Sequence, residues 1–230
     1  SVGQLLYQLY QCIQPIGDEY EAFGLGSFDP NEKIGPAGYG GERFVPDRAP
    51  MLYRINFENL ASATAPAQRI FVTDQLPLTL DPRTVRIKEI GFKQQQIIVP
   101  DNQASYQARL QLGEDLNNLQ VDVLAGLDLV NRRVFWSLQA IDPATGEEPL
   151  DPTLGLLPPN NSYRDGEGYV TFTIEPTAAQ PTRTDLVNNA TIVFDTNEAI
   201  ITNTVSNLLD SGIPTSQLAP LPPTSTVPIF

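Results

Sequence analysis

Tyr169-Val-Thr-Phe-Thr-Ile-Glu175, followed through a polar turn by Val187-Asn-Asn-Ala-Thr-Ile-Val-Phe194, decides how this chain folds. Val170, Phe172 and Ile174 alternate with Tyr169, Thr171 and Thr173, the period-two pattern of a strand with one buried face. The second stretch predicts one further strand running from Val187 to Phe194. An acidic corner, Asp195-Thr196-Asn197-Glu198, ends it, and Ile200 to Val205 resumes the β pattern.

Working outward, the same alternation recurs. Tyr53, Ile55 and Phe57 alternate with Arg54, Asn56 and Glu58, and further strands are expected over 68–74, 85–90, 94–99, 105–112, 119–124 and 134–141. Leu76 to Pro82 reads as punctuation and 142–165 as a long Pro- and Gly-rich loop. Trp136, beside Phe135 and Leu138, reads as core. No helix-period segment is long enough to cross between parallel strands, so the fold expected is all-β, an antiparallel sandwich or barrel.

The 230 residues suffice for one large β domain. Fourteen Lys and Arg against 27 Asp and Glu leave a net charge of −13, which argues against nucleic-acid binding, where clustered cations must neutralise phosphates. With no histidine and one cysteine, Cys12, Ser-His and Cys-His dyads, His-ligated zinc and an internal disulfide are excluded. Nowhere does an apolar run approach the ~20 residues of a membrane helix. The glycine-rich run Gly35 to Gly41 lacks a following Lys-Ser/Thr and a helix signal, so it is a structural loop, not a phosphate cradle. The chain begins at Ser1, from which the expectation is a piece processed from a longer precursor.

Three stretches together are similar to a known family. They are Ser27-Phe-Asp-Pro-Asn-Glu-Lys33; Leu52 to Asn59 with Ile70 to Leu76; and Gly168 to Pro176 continuing through Asn188 to Asn203. This combination resembles the conserved-repeat, immunoglobulin-like domain of uncharacterised function found in large secreted and surface-exposed bacterial proteins. The resemblance covers residues 27–207. It implies an extracellular immunoglobulin-like antiparallel β-sandwich and supplies no catalytic residues; this sequence departs from the family pattern by a long inserted middle (93–165), and it adds extended terminal arms.

Two segments fall outside it. Residues 1–26 carry Leu5, Leu6 and Leu9 with Tyr10 and Ile13, an apolar segment that reads as one face of a short helix, which Pro15 would end, or alternatively as a strand, packing on the domain or on a neighbour. Residues 208–230 form a Pro-rich arm or linker with Ile229 and Phe230 as apolar anchors. These five residues, Leu5, Leu6, Leu9, Ile229 and Phe230, are the candidate assembly contacts, on a neighbouring copy or on adjoining domains of the same polypeptide. Calcium is the candidate cofactor, with Asp29, Asn31 and Glu32 at one corner and Asp195, Asn197 and Glu198 at the other. The competing reading is that these side chains hydrogen-bond their own turns. The function expected is that of a non-enzymatic extracellular structural module or subunit of a bacterial surface assembly. The alternative is an adhesion or ligand-binding module using the 142–165 loop.

Overall fold

The computed structural model describes residues 30–212. Their strands are β1 (Lys33–Ile34), β2 (Phe44–Pro46), β3 (Met51–Glu58), β4 (Arg69–Gln75), β5 (Leu80–Phe92), β6 (Gln95–Ile98) and β7 (Tyr106–Gln111), followed by β8 (Gln120–Asp128), β9 (Arg133–Ile141), β10 (Glu167–Pro176), β11 (Asp185–Asn188), β12 (Ala190–Phe194), β13 (Ile200–Ile201) and β14 (Val205–Asp210). A five-stranded sheet runs in the order β1-β3-β10-β5-β6, a six-stranded sheet β13-β12-β4-β9-β8-β7, and a three-stranded sheet β11-β14-β2. All pairings are antiparallel except β2 with β14. This is an all-β, immunoglobulin-like antiparallel sandwich.

Alternation in the sequence sets which residues meet between the two larger sheets. In β3, Met51, Tyr53, Ile55 and Phe57 are buried while the residues between them are half-buried. β10 pairs with β3 from Glu167 opposite Glu58 to Ile174 opposite Met51. Its Phe172 stacks on Tyr53, with centroids 5.5 Å apart, and meets Trp136 of β9 at 5.6 Å. Trp136 therefore bridges the sheets from the six-stranded side, fully buried as core. Such aromatic contacts add to the area term, which for a large side chain is about 1.5–3 kcal/mol on full burial.

Two local expectations are corrected. The single strand from Val187 to Phe194 is two strands broken at Asn189: β11 pairs with β14, whereas β12 pairs with β4 and β13. The chain changes sheets there, and the Asn188 side chain turns inward to donate to Asp74. Likewise Pro82 does not interrupt the chain, since β5 starts at Leu80 and passes through it. β6 pairs only with Glu89–Phe92, so along the first half of β5 the missing N–H of proline costs no ladder bond.

The route of the chain gives the domain two distinct ends. At one, Asn31 Oδ1 accepts from the Glu58 N–H and Glu32 O from the Asn56 N–H, so the described chain starts beside the C-terminal end of β3. At the other, Asp210 lies opposite Pro46 and its carbonyl accepts from the Asp47 N–H, just before β3 begins. These are the Glu58 end and the Met51 end below.

Two glycines allow aromatic rings to lie on the backbone. A Cβ on Gly168 would sit 2.1 Å from the Phe57 ring, and one on Gly91 2.2 Å from the Tyr169 ring. Gly168→Ala is expected to destabilise by about 1–3 kcal/mol, the range for forcing atoms into a packed core; urea denaturation measures it. Acid should also weaken the domain modestly. Hydrogen bonds from Arg83 and Arg109 are the main cause holding Asp81 and Asp122 below the usual carboxylate range. A depressed native pKa means the unfolded chain binds more protons, so this stability is present above about pH 4 and is lost as pH falls through it. A thermal melt that is flat between neutral pH and pH 3 would contradict this.

Candidate functional site

Three places have the chemistry of a site. The first is an open groove of about 660 Å³ on the outer face of the five-stranded sheet, near the Glu58 end. Its floor and walls include Arg54, Glu58, Tyr163, Arg164, Glu167 and Tyr169. The Arg54 guanidinium lies 3.6 Å from the centre of the Tyr169 ring and donates to Asn56 Oδ1 at 2.7 Å. Tyr169 OH donates to Glu89 Oε2 at 3.1 Å. Burial first, then the charge of Glu89, raises the Tyr169 phenol pKa above its ordinary value. On the rim, Arg164 is paired with Glu167 at 2.6 Å, and Tyr163 is 81% exposed. The groove thus offers an aromatic face and cations already oriented by partners, which suits a polar, hydroxyl- or carboxylate-bearing ligand.

The second place is the pair of acidic corners read from the sequence. Asn31 is buried against Glu58, and Glu32 Oε1 accepts from Asn56 Nδ2 at 3.1 Å. Asp195 takes a left-handed conformation, φ 51°, and its Oδ1 accepts from the N–H groups of Gln68 and Arg69 at 2.8 and 2.7 Å. Asn197 closes the turn by donating its N–H to Phe194 O, and Asn197 and Glu198 are exposed. Phe57 and Phe194, adjacent to Glu58 and Asp195, contact each other with centroids 6.4 Å apart. The two corners therefore share the Glu58 end, one on each sheet. Among the described residues, no three Asp, Glu or Cys side chains converge closely enough to hold a metal ion. Asp29 and the assembly candidates Leu5, Leu6, Leu9, Ile229 and Phe230 lie outside the described residues, as does the short helix or strand expected near the N-terminus.

The third place lies inside the sandwich and was missed by sequence reasoning. Lys33 of β1 forms an ion pair with Asp74 of β4, and both side chains are 0% exposed. Lys33 Nζ bonds one carboxylate oxygen, Oδ2; Asn188 Nδ2 of β11 donates to the other, Oδ1, at 2.7 Å. The Tyr53 and Phe172 rings flank the ammonium at 4.6 and 5.7 Å. Desolvation is the largest influence on Lys33 and lowers its pKa against the opposing pull of Asp74. β1 is held in place by Asn203, whose side chain accepts from the Lys33 N–H and donates to the Lys33 carbonyl. The groups come from all three sheets.

With that geometry in view, comparison with known proteins adds little. A family described only as a domain of unknown function (DUF7619) matches residues 154–208, less than half of the chain. No curated protein matches. Among solved structures, the chain is similar to a collagen-binding domain from a Staphylococcus aureus adhesin, at 12% identity and TM-score 0.37 over 80% of this chain and 99% of that one. It is also similar to the C-terminal domain of the antigen I/II-family protein AspA of Streptococcus pyogenes, at 11% identity and TM-score 0.43, over 80% of this chain and 53% of that one. The Corynebacterium diphtheriae major pilin SpaA shows 15% identity and TM-score 0.37, over 78% of this chain and 38% of that one. No functional conclusion rests on likenesses this distant.

The Asp195 corner makes a direct expectation. Asp195→Ala removes the acceptor of two backbone N–H groups at the start of β4 and should cost about 1–2 kcal/mol. Chemical denaturation reads this cost, and an unchanged midpoint would show the corner to be structurally idle.

Proposed function

We propose that the chain is a non-enzymatic extracellular structural module of a bacterial surface protein, linked in line through the segments on either side of the sandwich. The observation that supports this is the path of the backbone: the described chain starts at the Glu58 end and finishes at the Met51 end of one sandwich. Modules that are met at one end and left at the other form a string when repeated, whereas a chain returning to its own start would form side branches. The acidic surface, with a net charge of −13, keeps such copies soluble and apart. Near the Met51 end, Leu78, Leu129 and Val130 are exposed beside a shallow hollow, an apolar rim against which a following segment can rest.

One observation favours a second reading, an adhesion or ligand-binding module. The long loop after β9 ends by placing Tyr163 and Arg164 on the edge of the outer groove, next to Arg54 and Tyr169. Calcium stabilisation of the Glu58 end is a separate proposal, and its support is that both acidic corners lie there.

Electron microscopy and light scattering of the full chain test the first reading. Linear assemblies that disappear when residues 1–29 or 213–230 are removed support it. A chain that stays monomeric, yet binds glycans or proteins in a way lost in Tyr163→Ala and Arg54→Ala, supports the second. A melting temperature that rises with calcium and falls with chelator supports the ion; one indifferent to both sinks it.

A further inference from the structure

We propose that Lys33 and Asn188 are the two halves of an intramolecular amide cross-link, with Asp74 the catalytic residue that makes it. Three reactive groups meet in the core between the sheets. A lysine amine, a carboxylate and a primary carboxamide converge beside the Tyr53 and Phe172 rings, with the Lys33 and Asp74 side chains wholly shielded from solvent. Nζ sits on Asp74 Oδ2 and Nδ2 of Asn188 on Asp74 Oδ1, so one carboxylate holds the nucleophile and the leaving nitrogen side by side. Holding two reactants in contact converts a slow bimolecular step into a fast unimolecular one.

The rest of the chemistry follows from burial. An isolated ammonium and carboxylate are costly to remove from water, and the usual relief is to neutralise. Transfer of a proton from Lys33 to Asp74 leaves a neutral amine, the nucleophilic form of lysine. Desolvation favours that form. The amine nitrogen attacks Asn188 Cγ and a C–N bond forms. The Asp74 carboxyl, protonated on Oδ2, turns to give that proton to Nδ2; the Cγ–Nδ2 bond breaks, and ammonia leaves. The attacking nitrogen returns one proton to Asp74. Nothing is oxidised or reduced, and no co-reactant is required. The product is a neutral secondary amide joining β1 to the end of β11. The rings exclude the water that would hydrolyse it.

The position of the bond has a mechanical meaning. β1 is the first described strand, and Asn188 precedes only β12, β13 and β14. A link there closes nearly the whole sandwich into a covalent ring and leaves little outside it.

Intact-protein mass spectrometry of the full, denatured chain decides the matter. The expected mass is that of the sequence less one ammonia, with fragmentation after digestion yielding one branched peptide in which Lys33 Nζ is joined to Asn188. The full sequence mass overturns the proposal. So does a deficit that maps to a cyclised asparagine backbone rather than to a branched peptide. Asp74→Asn, checked for retained strand signal by circular dichroism, should return to its own sequence mass; a branched peptide in that variant would overturn the role of Asp74. Because the wild-type mass alone tests the bond, a variant that fails to fold leaves the proposal falsifiable. Mass reads the chemistry and assembly reads the structural role, so either can fail without the other.

Discussion

A lysine ammonium with no access to water needs a counter-charge, and the sandwich is arranged around the one that Lys33 finds. Asp74 reaches it from the opposite sheet, Asn188 completes the carboxylate, and Tyr53 and Phe172 close over the group. Each ion loses several kcal/mol of hydration on burial, and the attraction between them roughly offsets this at best. Replacing such a pair with well-packed apolar residues is often neutral or stabilising, by about 1–4 kcal/mol. Stability alone is therefore a poor reason for the cluster. A reactive role, in which the charges are transient, accounts for it better.

That cluster also explains details of the route. β12 pairs with β4 so that Ala190 faces Asp74, which brings Asn188, two residues earlier, within reach of the same carboxylate. The sheet change at Asn189 lets Asn188 serve the core while β11 completes the small sheet with β14. Asn203, just before β14, clamps the backbone of Lys33 on both sides. The first strand and the last strands are thus tied at one level of the sandwich, by backbone clamp and by buried side chains. The chain meanwhile starts at the Glu58 end and finishes at the Met51 end.

Much of this was legible in the sequence. The alternation in Met51–Glu58 and in Tyr169–Glu175 names the buried faces of β3 and β10, since a period of two leaves only one face for the core. The resemblance to conserved-repeat domains pointed to the same sandwich. Pairing order and the break at Asn189 were not legible, because a strand that changes sheets keeps its local pattern. The buried cluster left a signal that was overlooked. Asp74 falls in phase with Ile70 and Val72, and Asn188 in phase with Ala190, Ile192 and Phe194, so both polar residues occupy inward positions. Lys33, by contrast, closes a stretch that reads as a turn, and only the pairing of β1 with β3 reveals that it points inward. At the acidic corners, composition suggested ion ligands, whereas the geometry shows Asp195 and Glu32 accepting from backbone and amide N–H groups.

With Lys33 joined to Asn188, tension on the two ends of the domain passes through that link and through β12 to β14, and not through residues 34–187. Single-molecule force extension, with the chain held just outside residues 30 and 212, measures this directly. With the link present, residues 34–187 are shielded, and the domain should lengthen only by the short stretches outside the ring. An extension equal to the full contour of residues 30–212, released in one unfolding step, would contradict the account.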